Sequence, residues 1–264
     1  GKVFQMLDLK LLMYWPFMEM MAPGGVFITA SDDIEVFWMD DSFEFESPRG
    51  PAVINLAHPS NLQIGSTHGV FLLPERSYSE NPTSQVVASS CMEVLQKPTV
   101  SAMRSKGVVF KDERTLEERV FSDSAFWINV DVVRRFLSFY DEFKPISVES
   151  CIYGDFMICQ GISDDHDHVK KVMAASAEED ATTQFKRAIC RMMRDIPLQL
   201  LCLKMSKFYH IGTMSEYVDA LCKDAHLWTE MNFSKDVCNK WTGSSSIDHQ
   251  RQCDGTVMSS ILPL

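Results

Sequence analysis

The chain has 264 residues and a formal net charge of −11, with 45% hydrophobic and 23% charged residues. This composition is typical of a globular protein with room for one large domain or two small ones. An acidic chain without a stripe of Lys and Arg is poorly suited to bind the phosphate backbone of a nucleic acid. The apolar runs of the chain are too short and too interrupted to span a bilayer. We therefore expect no nucleic-acid partner and no membrane partner.

The cysteine pattern is the next constraint. Eight cysteines are scattered along the chain without a Cys-x-x-Cys pair, and Cys202 lies inside the apolar run 200–203. Such a pattern favours small buried thiols in a reducing compartment over a disulfide framework or a zinc site. The first residues do not resemble a secretory signal. The expected location is the cytoplasm.

The first predicted elements are a helix and a strand. Residues 5–21 are apolar at helical spacing and predict a helix that ends or kinks near Pro16. The β-branched and aromatic run 26–30 predicts a buried strand that stops at Asp32 and Asp33.

The run from Ala57 to Phe71 carries the strongest functional signal. It begins with small polar residues and two histidines, contains a Ser-Thr-His-Gly corner, and ends in an apolar stretch. This order predicts a shaped loop that leads into a buried strand, and binding residues concentrate on such loops. The polar stretch 76–90 predicts a further loop, and residues 92–95 predict a strand ended by Gln96, Lys97 and Pro98.

The second half alternates strands with helices. Thr99 is expected to cap a short helix, and the segment 122–124 to lead into a strand over 125–130. The remaining predictions are a helix over 132–141 capped by Asp131, a helix or helix-loop over 147–161, a polar insert over 163–179, a helix to about 194, a strand over 198–203 and a loop over 206–213. This alternation predicts an α/β domain with a mostly parallel or mixed sheet.

Adjacent carboxylates are the first candidate chemistry. In open α/β sheets ligands bind beyond the carboxyl ends of strands, so Asp32 and Asp33 are well placed to hold a divalent metal on a nucleotide. A helix N-cap or a surface turn explains the same pair equally well. Spacing alone leaves both interpretations open.

Other polar residues at predicted strand ends are weaker signals. Lys97 could offset phosphate charge, although a solvated lysine is the better interpretation from the residues alone. The segment 122–124 could meet sugar hydroxyls or cap backbone groups. The segment 207–213 combines a cation, two aromatic rings, an imidazole and a Gly-Thr turn, for which a structural aromatic cluster is the alternative. The acidic and histidine-rich run 164–168 is interpreted as a solvated loop rather than a metal site.

A set of motifs occurs in a fixed order, namely Gly1–Phe4, Tyr14 with its helix, 31–35, 57–71, 95–98, 122–126, 153–156 and 206–213. In this order they resemble the fucose-1-phosphate guanylyltransferases, also called GDP-L-fucose pyrophosphorylases. Related sequence forms the pyrophosphorylase part of bifunctional L-fucokinase enzymes. The resemblance covers most of residues 1 to about 220.

The resemblance implies a fold and its limits. It implies an α/β, Rossmann-like nucleotide-diphospho-sugar transferase fold with a mixed, mostly parallel sheet. The family's Gly-rich nucleotide loop, with an Arg, precedes Gly1-Lys2, so we expect truncation at the N-terminus and before a C-terminal β-helix. Residues 1–225 would be a partial nucleotidyltransferase domain, and 226–264 a linker with the start of the β-helix-like region.

The resemblance also implies an activity, in which GMP passes from GTP to L-fucose 1-phosphate to give GDP-L-fucose and pyrophosphate. Such chemistry depends on positioning and charge neutralisation. Lys2, Asp32 and Lys97 are the implied catalytic residues, and Asp32 and Asp33 the implied ligands of Mg²⁺. The implied substrate-binding residues are His68, Gly69, Asp123, Glu149, Asp155 and His210.

Two alternatives stay open. The first is a catalytically inactive homologue that binds a sugar nucleotide or a protein, which the missing Gly-rich loop favours. The retained Asp32, Asp33, Lys97 and His68 favour an enzyme instead. The second alternative is a nucleotidyltransferase acting on another sugar phosphate.

Overall fold

The computed structural model describes residues 6–21, 23–37, 43–74, 85–112, 114–161, 181–222 and 225–230. The chain divides into two compact units. The first unit comprises residues 1–30 and 37–207, and the second comprises residues 31–36 and 208–264. The predictions for Lys2, for the insert 163–179 and for residues 231–264 lie outside the described residues.

The first unit is built on a large sheet. Its strands are β1 (Val26–Ile28), β3 (Val53–Ser60), β4 (Gly69–Leu72), β5 (Val86–Ser90), β6 (Glu93–Gln96), β7 (Phe110–Lys111), β8 (Glu118–Ile128) and β9 (Leu198–Leu203). Its helices are α1 (Met6–Met20), α2 (Leu62–Gly65), α3 (Val100–Ser105), α4 (Val130–Phe143) and α5 (Ala181–Met193). A π-helical turn over Ile152–Phe156 and a 3₁₀ turn over Met157–Cys159 lie between α4 and α5.

The sheet is mixed and mostly antiparallel, so the expectation of a mostly parallel sheet is wrong. The strand order is β5-β9-β3-β8-β4-β6, and β1 and β7 also pair with β8. Among the described strands of this sheet, only β3 and β9 run parallel, with Val53 opposite Leu198. Parallel neighbours need long crossovers, whereas a short connection such as the one between β7 and β8 permits antiparallel pairing. The α/β class is confirmed, but the alternation of elements did not determine strand direction.

Strand β8 is the centre of this sheet. It pairs antiparallel with β1, β3, β4 and β7. The sequence prediction placed segment 122–124 before a strand, but these residues lie in the middle of β8 and are buried. Polar residues inside an 11-residue strand interrupt its apolar pattern, which is why the strand was predicted too short.

Helices cover both faces of the sheet. Successive strand residues point to opposite faces, and β8 shows this with Phe126 in one core cluster and Trp127 in the other. The cluster of Phe126 includes Phe139 of α4 and Phe185 of α5. The cluster of Trp127 includes Tyr14 of α1. The central strands are therefore buried on both sides.

Three predicted loops contain strand residues. The first four residues of the run 57–71 belong to β3, residues 86–90 form β5, and residues 207–210 form β10 (Lys207–His210). Their polar side chains favoured loops in the sequence, but pairing with neighbouring strands decides the backbone. The predictions around Thr99, which caps α3, and for the strand 198–203 are confirmed.

The cysteines differ from expectation at one pair. Cys159 and Cys190 form a disulfide between the 3₁₀ turn and α5. The two cysteines are 31 residues apart, and this spacing gave no indication of the pairing. Cys91 and Cys202 are buried free thiols, as expected. Burial raises the pKa of Cys202 to about 12, so this thiol stays protonated and packs as an apolar group.

The second unit is small. Strands β2 (Asp33–Val36) and β10 form a two-stranded sheet, followed by α6 (Met214–Cys222) and α7 (Ala225–Glu230). Tyr209 donates a hydrogen bond of 2.6 Å to Glu230 on α7. In neither unit is any described helix both long and apolar enough to cross a membrane.

Candidate functional site

Four predicted residues meet in the first unit. Gly69 begins β4 opposite Gln96, the last residue of β6. The backbone N–H of Lys97 donates to the carbonyl oxygen of His68 at 3.0 Å. The side chain of Asp123 reaches Gly69 from β8. We call His68, Gly69, Gln96, Lys97 and Asp123 the strand-end cluster.

Contact between Gly69 and Asp123 organises the cluster. The Gly69 N–H donates to Oδ1 of Asp123 at 3.0 Å, and both residues are buried. A methyl group on Gly69 would lie 2.9 Å from Cγ of Asp123, which is too close for a carbon contact. A larger residue at this position would displace the Asp123 carboxylate, and the N–H of Gly69 fixes one oxygen of that carboxylate.

Lys97 adopts an unusual backbone conformation. Its φ of 46° lies in the left-handed region, which costs a non-glycine residue of order 1 kcal/mol or more. The residue is exposed, so packing does not explain a lysine at this position. Strained backbone tends to be retained where a side chain serves a site. This observation supports a functional ammonium group.

The ring of His68 has two oxygen neighbours at Nδ1. This atom lies 3.0 Å from the carbonyl oxygen of Ile64 and 3.0 Å from Oγ1 of Thr67. A carbonyl can only accept a hydrogen bond, so the contact with Ile64 is a hydrogen bond in the tautomer that carries a hydrogen on Nδ1. In the neutral ring Nε2 is then the acceptor, suited to a hydroxyl or a phosphate proton.

Gln96 belongs to the strand-end cluster but is not among the predicted site residues. Within the described ranges, its Oε1 atom is buried and has no hydrogen-bond partner. Such an atom carries a free-energy cost unless a ligand or water donates to it. The available signal was a polar side chain at the end of an otherwise apolar strand.

Asp155 lies next to the cluster but is engaged by the protein itself. One of its oxygens accepts from the Cys151 N–H at 2.8 Å, and the other pairs with Lys186 at 3.1 Å. A methyl group added to Gly154 would lie 3.8 Å from Cγ of Gln96, so this turn packs beside the cluster. Its predicted role in substrate binding stays a prediction. Glu149 is exposed on the preceding stretch, and its predicted role also stays a prediction.

The other predicted cluster belongs to the second unit. Ligand atoms of Asp32, Asp33 and His210 all lie within 4.8 Å of one another. Nδ1 of His210 is 2.8 Å from Oδ1 of Asp33. The Ile211 N–H donates to the Asp32 carbonyl at 2.7 Å, which aligns the two segments. We call these three side chains the carboxylate–histidine cluster.

The two aspartates come after β1 in the chain. Asp32 lies in the turn that precedes β2, and Asp33 is the first residue of β2 in the two-stranded sheet. Their predicted role as metal ligands stays a prediction. His210 was predicted to bind substrate, and the structure brings it to the predicted metal ligands.

The carboxylate–histidine cluster supports two kinds of chemistry. The hydrogen bond to Asp33 raises the pKa of His210, which favours a protonated imidazole in an ion pair. A neutral imidazole with two carboxylate oxygens could instead hold a divalent cation. The oxygens suit Mg²⁺, and the nitrogen extends the choice towards Mn²⁺ and Zn²⁺. The donor set therefore fits a divalent metal.

Comparison with known sequences decides the family. The sequence matches the family described as "Fucose pyrophosphorylase domain" over residues 1–264. The chain belongs to the fucose pyrophosphorylase domain family. The resemblance noted from the motifs is thereby confirmed.

Named relatives of this fucose pyrophosphorylase domain agree. It is 30% identical to mouse fucose-1-phosphate guanylyltransferase over 94% of the chain and 45% of that relative. It is 31% identical to the human protein of the same name over 87% of the chain and 40% of that relative. An Arabidopsis thaliana bifunctional fucokinase/GDP-fucose pyrophosphorylase is 26% identical over 76% of the chain and 18% of its own length. The chain thus spans less than half the length of these relatives.

Proposed function

We propose that this chain carries the nucleotidyltransferase region of an enzyme that makes GDP-L-fucose from GTP and L-fucose 1-phosphate. The observation that supports this most is the family match over residues 1–264. The names of the mouse and human relatives supply the sugar phosphate and the guanylyl group. The proposed location is the cytoplasm, where a nucleoside triphosphate is at hand.

The reaction is an in-line substitution at phosphorus. A phosphate oxygen of L-fucose 1-phosphate attacks the α-phosphorus of GTP, and the bond from that phosphorus to the oxygen bridging to the β-phosphate breaks. Pyrophosphate leaves with the electron pair. No protein nucleophile is needed, so the protein must position the reactants and offset negative charge.

The strand-end cluster has the groups for this task. The Lys97 ammonium offers charge to a phosphate, and Nε2 of His68 and Oε1 of Gln96 can accept hydrogen bonds from hydroxyl groups. Asp123 adds a carboxylate whose position is fixed by the Gly69 N–H. We assign phosphate contact to Lys97, and sugar or ribose hydroxyls to Gln96, His68 and Asp123.

The carboxylate–histidine cluster is the proposed Mg²⁺ site. Asp32 and Asp33 would hold the ion, with His210 as a third ligand or as the hydrogen-bond donor that orients Asp33. A bound Mg²⁺ would stabilise negative charge on the nucleotide phosphates. Without a cation, Nδ1 of His210 and Oδ1 of Asp33 are in contact at 2.8 Å.

The activity is tested with this chain and with the full-length gene product. Pyrophosphate release from GTP and L-fucose 1-phosphate is measured with Mg²⁺ and with EDTA. We expect metal-dependent release that falls at least about tenfold in Lys97→Ala, because a charge-assisted phosphate contact is lost. Lys144→Ala, at an exposed lysine on α4's end, is the control. Full-length protein that folds but releases no pyrophosphate would favour the inactive binding homologue.

Sugar specificity needs its own comparison. L-fucose 1-phosphate and mannose 1-phosphate are offered at equal concentration in the same assay. We expect a clear preference for the fucose substrate in kcat/KM. Equal turnover would refute a fucose enzyme and leave a nucleotidyltransferase of broader specificity.

Metal binding is measured separately from activity. Mn²⁺ is the probe, detected by the loss of its free paramagnetic signal on addition of protein. We expect Asp32→Asn and Asp33→Asn to weaken binding about tenfold or more, since each removes a charged ligand. Asp141→Asn, at an exposed aspartate paired with Lys144, is the matched control. Unchanged Mn²⁺ binding in both site variants would reject the metal assignment.

A further inference from the structure

A groove on the surface of the first unit is rich in arginine. It lies between α4 and α5 and has a volume of about 830 Å³. Four arginines line it with an apolar floor, namely Arg134, Arg135, Arg187 and Arg191 with Phe143 and Met192 among the floor residues. We call this the arginine groove. None of its residues belongs to either predicted cluster.

The charge of the groove contrasts with that of the chain. The chain has a net charge of −11, yet the described side chains that line the groove include four cations and one anion, Glu142. Asp131 and Asp195 pair with two of these arginines, so the described groups still carry an excess of positive charge. A cleft with an excess of one sign attracts counter-ions of the opposite sign. An anion is therefore the ligand that the groove favours.

Three of the four arginines already have partners within the protein, Arg187 among them. Arg134 binds Asp131 at 2.8 Å and Arg135 binds Asp195 at 3.0 Å. Both pairs are largely solvent-exposed, and exposed ion pairs contribute little. A guanidinium group also has five N–H donors, so one carboxylate contact leaves others for a ligand.

Guanidinium geometry narrows the class of anion. The planar fork matches two oxygens of a phosphate, and several arginines together match a chain of phosphates. The volume lies within the range of about 300–1,000 Å³ that is usual for small-molecule sites. We infer that the arginine groove binds a small polyphosphate anion, either an inorganic polyphosphate or the phosphate chain of a nucleotide.

The test is a titration of the protein with inorganic triphosphate in the presence of EDTA, with binding measured by calorimetry. The groove variant is Arg187→Ala/Arg191→Ala. The matched control is Arg49→Ala/Arg104→Ala, which removes the same charge from arginines outside the groove. We expect the groove variant to bind triphosphate at least about tenfold more weakly and the control to change less than about twofold. Lys97→Ala is titrated in parallel, so that binding at the strand-end cluster is distinguished from binding in the groove.

Additional titrations identify whether the phosphate chain belongs to a nucleotide or to an inorganic polyphosphate. ATP that binds much more tightly than triphosphate, with the advantage lost in Phe143→Ala, identifies a nucleotide. Equal affinity identifies the phosphate chain alone. The variant Arg187→Lys/Arg191→Lys keeps the positive charge but loses the planar guanidinium groups. We expect its affinity for triphosphate to lie between those of the wild type and the alanine variant.

Two results would overturn the inference. One is equal triphosphate affinity in the wild type and the groove variant, which would leave an acidic peptide as the fitting ligand class. The other is an equal loss in the groove variant and the charge control, which would show non-specific attraction. Both variants replace side chains that are not fully buried, and a melting curve checks that each is folded. The outcome is independent of the proposed transferase reaction.

Discussion

The strand-end cluster and the carboxylate–histidine cluster are built in different ways. The first is held by backbone: its residues stand where β4, β6 and β8 meet, and two N–H groups fix their neighbours. The second depends on a side-chain contact, the 2.8 Å link between His210 and Asp33, in a two-stranded sheet. A backbone hydrogen bond such as that from Lys97 to His68 is insensitive to pH. An ion pair with a partly exposed histidine responds to both pH and salt. Substitutions should therefore affect the two clusters differently.

The largest expected effect on stability comes from Gly69→Ala. The added methyl group meets the buried Asp123 carboxylate, and overpacking of this kind costs about 1–3 kcal/mol. Urea unfolding monitored by circular dichroism measures the loss. Gly50→Ala is the control, because a methyl group there has no neighbour within 4 Å. Equal, small effects in the two variants would contradict the described packing.

The next effect concerns the acceptor of the Gly69 N–H. Asp123→Ala leaves a buried donor unpaired, which costs about 1–3 kcal/mol. Asp123→Asn keeps a carbonyl oxygen in place and should cost less than half as much. Unfolding free energies of the two variants check this order. If asparagine costs as much as alanine, the negative charge rather than the hydrogen bond stabilises the cluster.

Lys97→Gly gives a smaller effect of opposite sign. Glycine relieves the strain at φ 46°, so stability should stay the same or rise by up to about 1 kcal/mol. Lys97→Ala keeps the strain and should give no gain. Under the proposed function both variants lose turnover equally. A glycine variant that is clearly less stable would show that the lysine side chain has a structural role.

The smallest effect, and the only one that depends on pH, belongs to the carboxylate–histidine cluster. The pKa of His210 is raised by its hydrogen bond to Asp33. The pair therefore contributes its full stability below about pH 6.5, the usual histidine value, and loses it as pH rises through the higher folded value. Melting temperatures of wild type and His210→Gln should differ at low pH and converge at high pH.

Metal binding at this cluster should show the opposite dependence on pH. A divalent ion needs the neutral imidazole, so Mn²⁺ affinity should increase with pH if His210 is a ligand. An affinity that does not change with pH would restrict His210 to orienting Asp33. Measuring both trends on one preparation separates the two roles.

Local features of the fold were predictable from the sequence. The Thr99 cap, the helix around Tyr14 and the strand 198–203 follow from patterns over a few residues. Strand direction did not follow, since it depends on which distant segments pair with β8. The polar residues of segment 122–124 suggest a loop in the sequence. In the structure they lie inside the sheet because their polar groups find partners there, as between the hydroxyl groups of Ser122 and Ser60 at 2.6 Å.

The site was predictable in its residue types but not in its grouping. His210 and Asp33 are 177 positions apart, and no spacing rule links them. Gln96 was passed over because an amide at a strand end has no distinctive pattern. Asp155 was singled out from its motif, but its contact with Lys186 on α5 required the structure.

Helix α5 has a consequence for communication within the first unit. One of its residues, Lys186, holds Asp155, and the turn of Asp155 packs beside Gln96. The adjacent Arg187 lines the arginine groove. If a ligand in the groove shifts α5, the free energy of the Asp155 turn changes with it. Reciprocity then requires that a ligand at Gln96 change the affinity of the groove by the same factor. One helix thus has the position of a two-way coupling element.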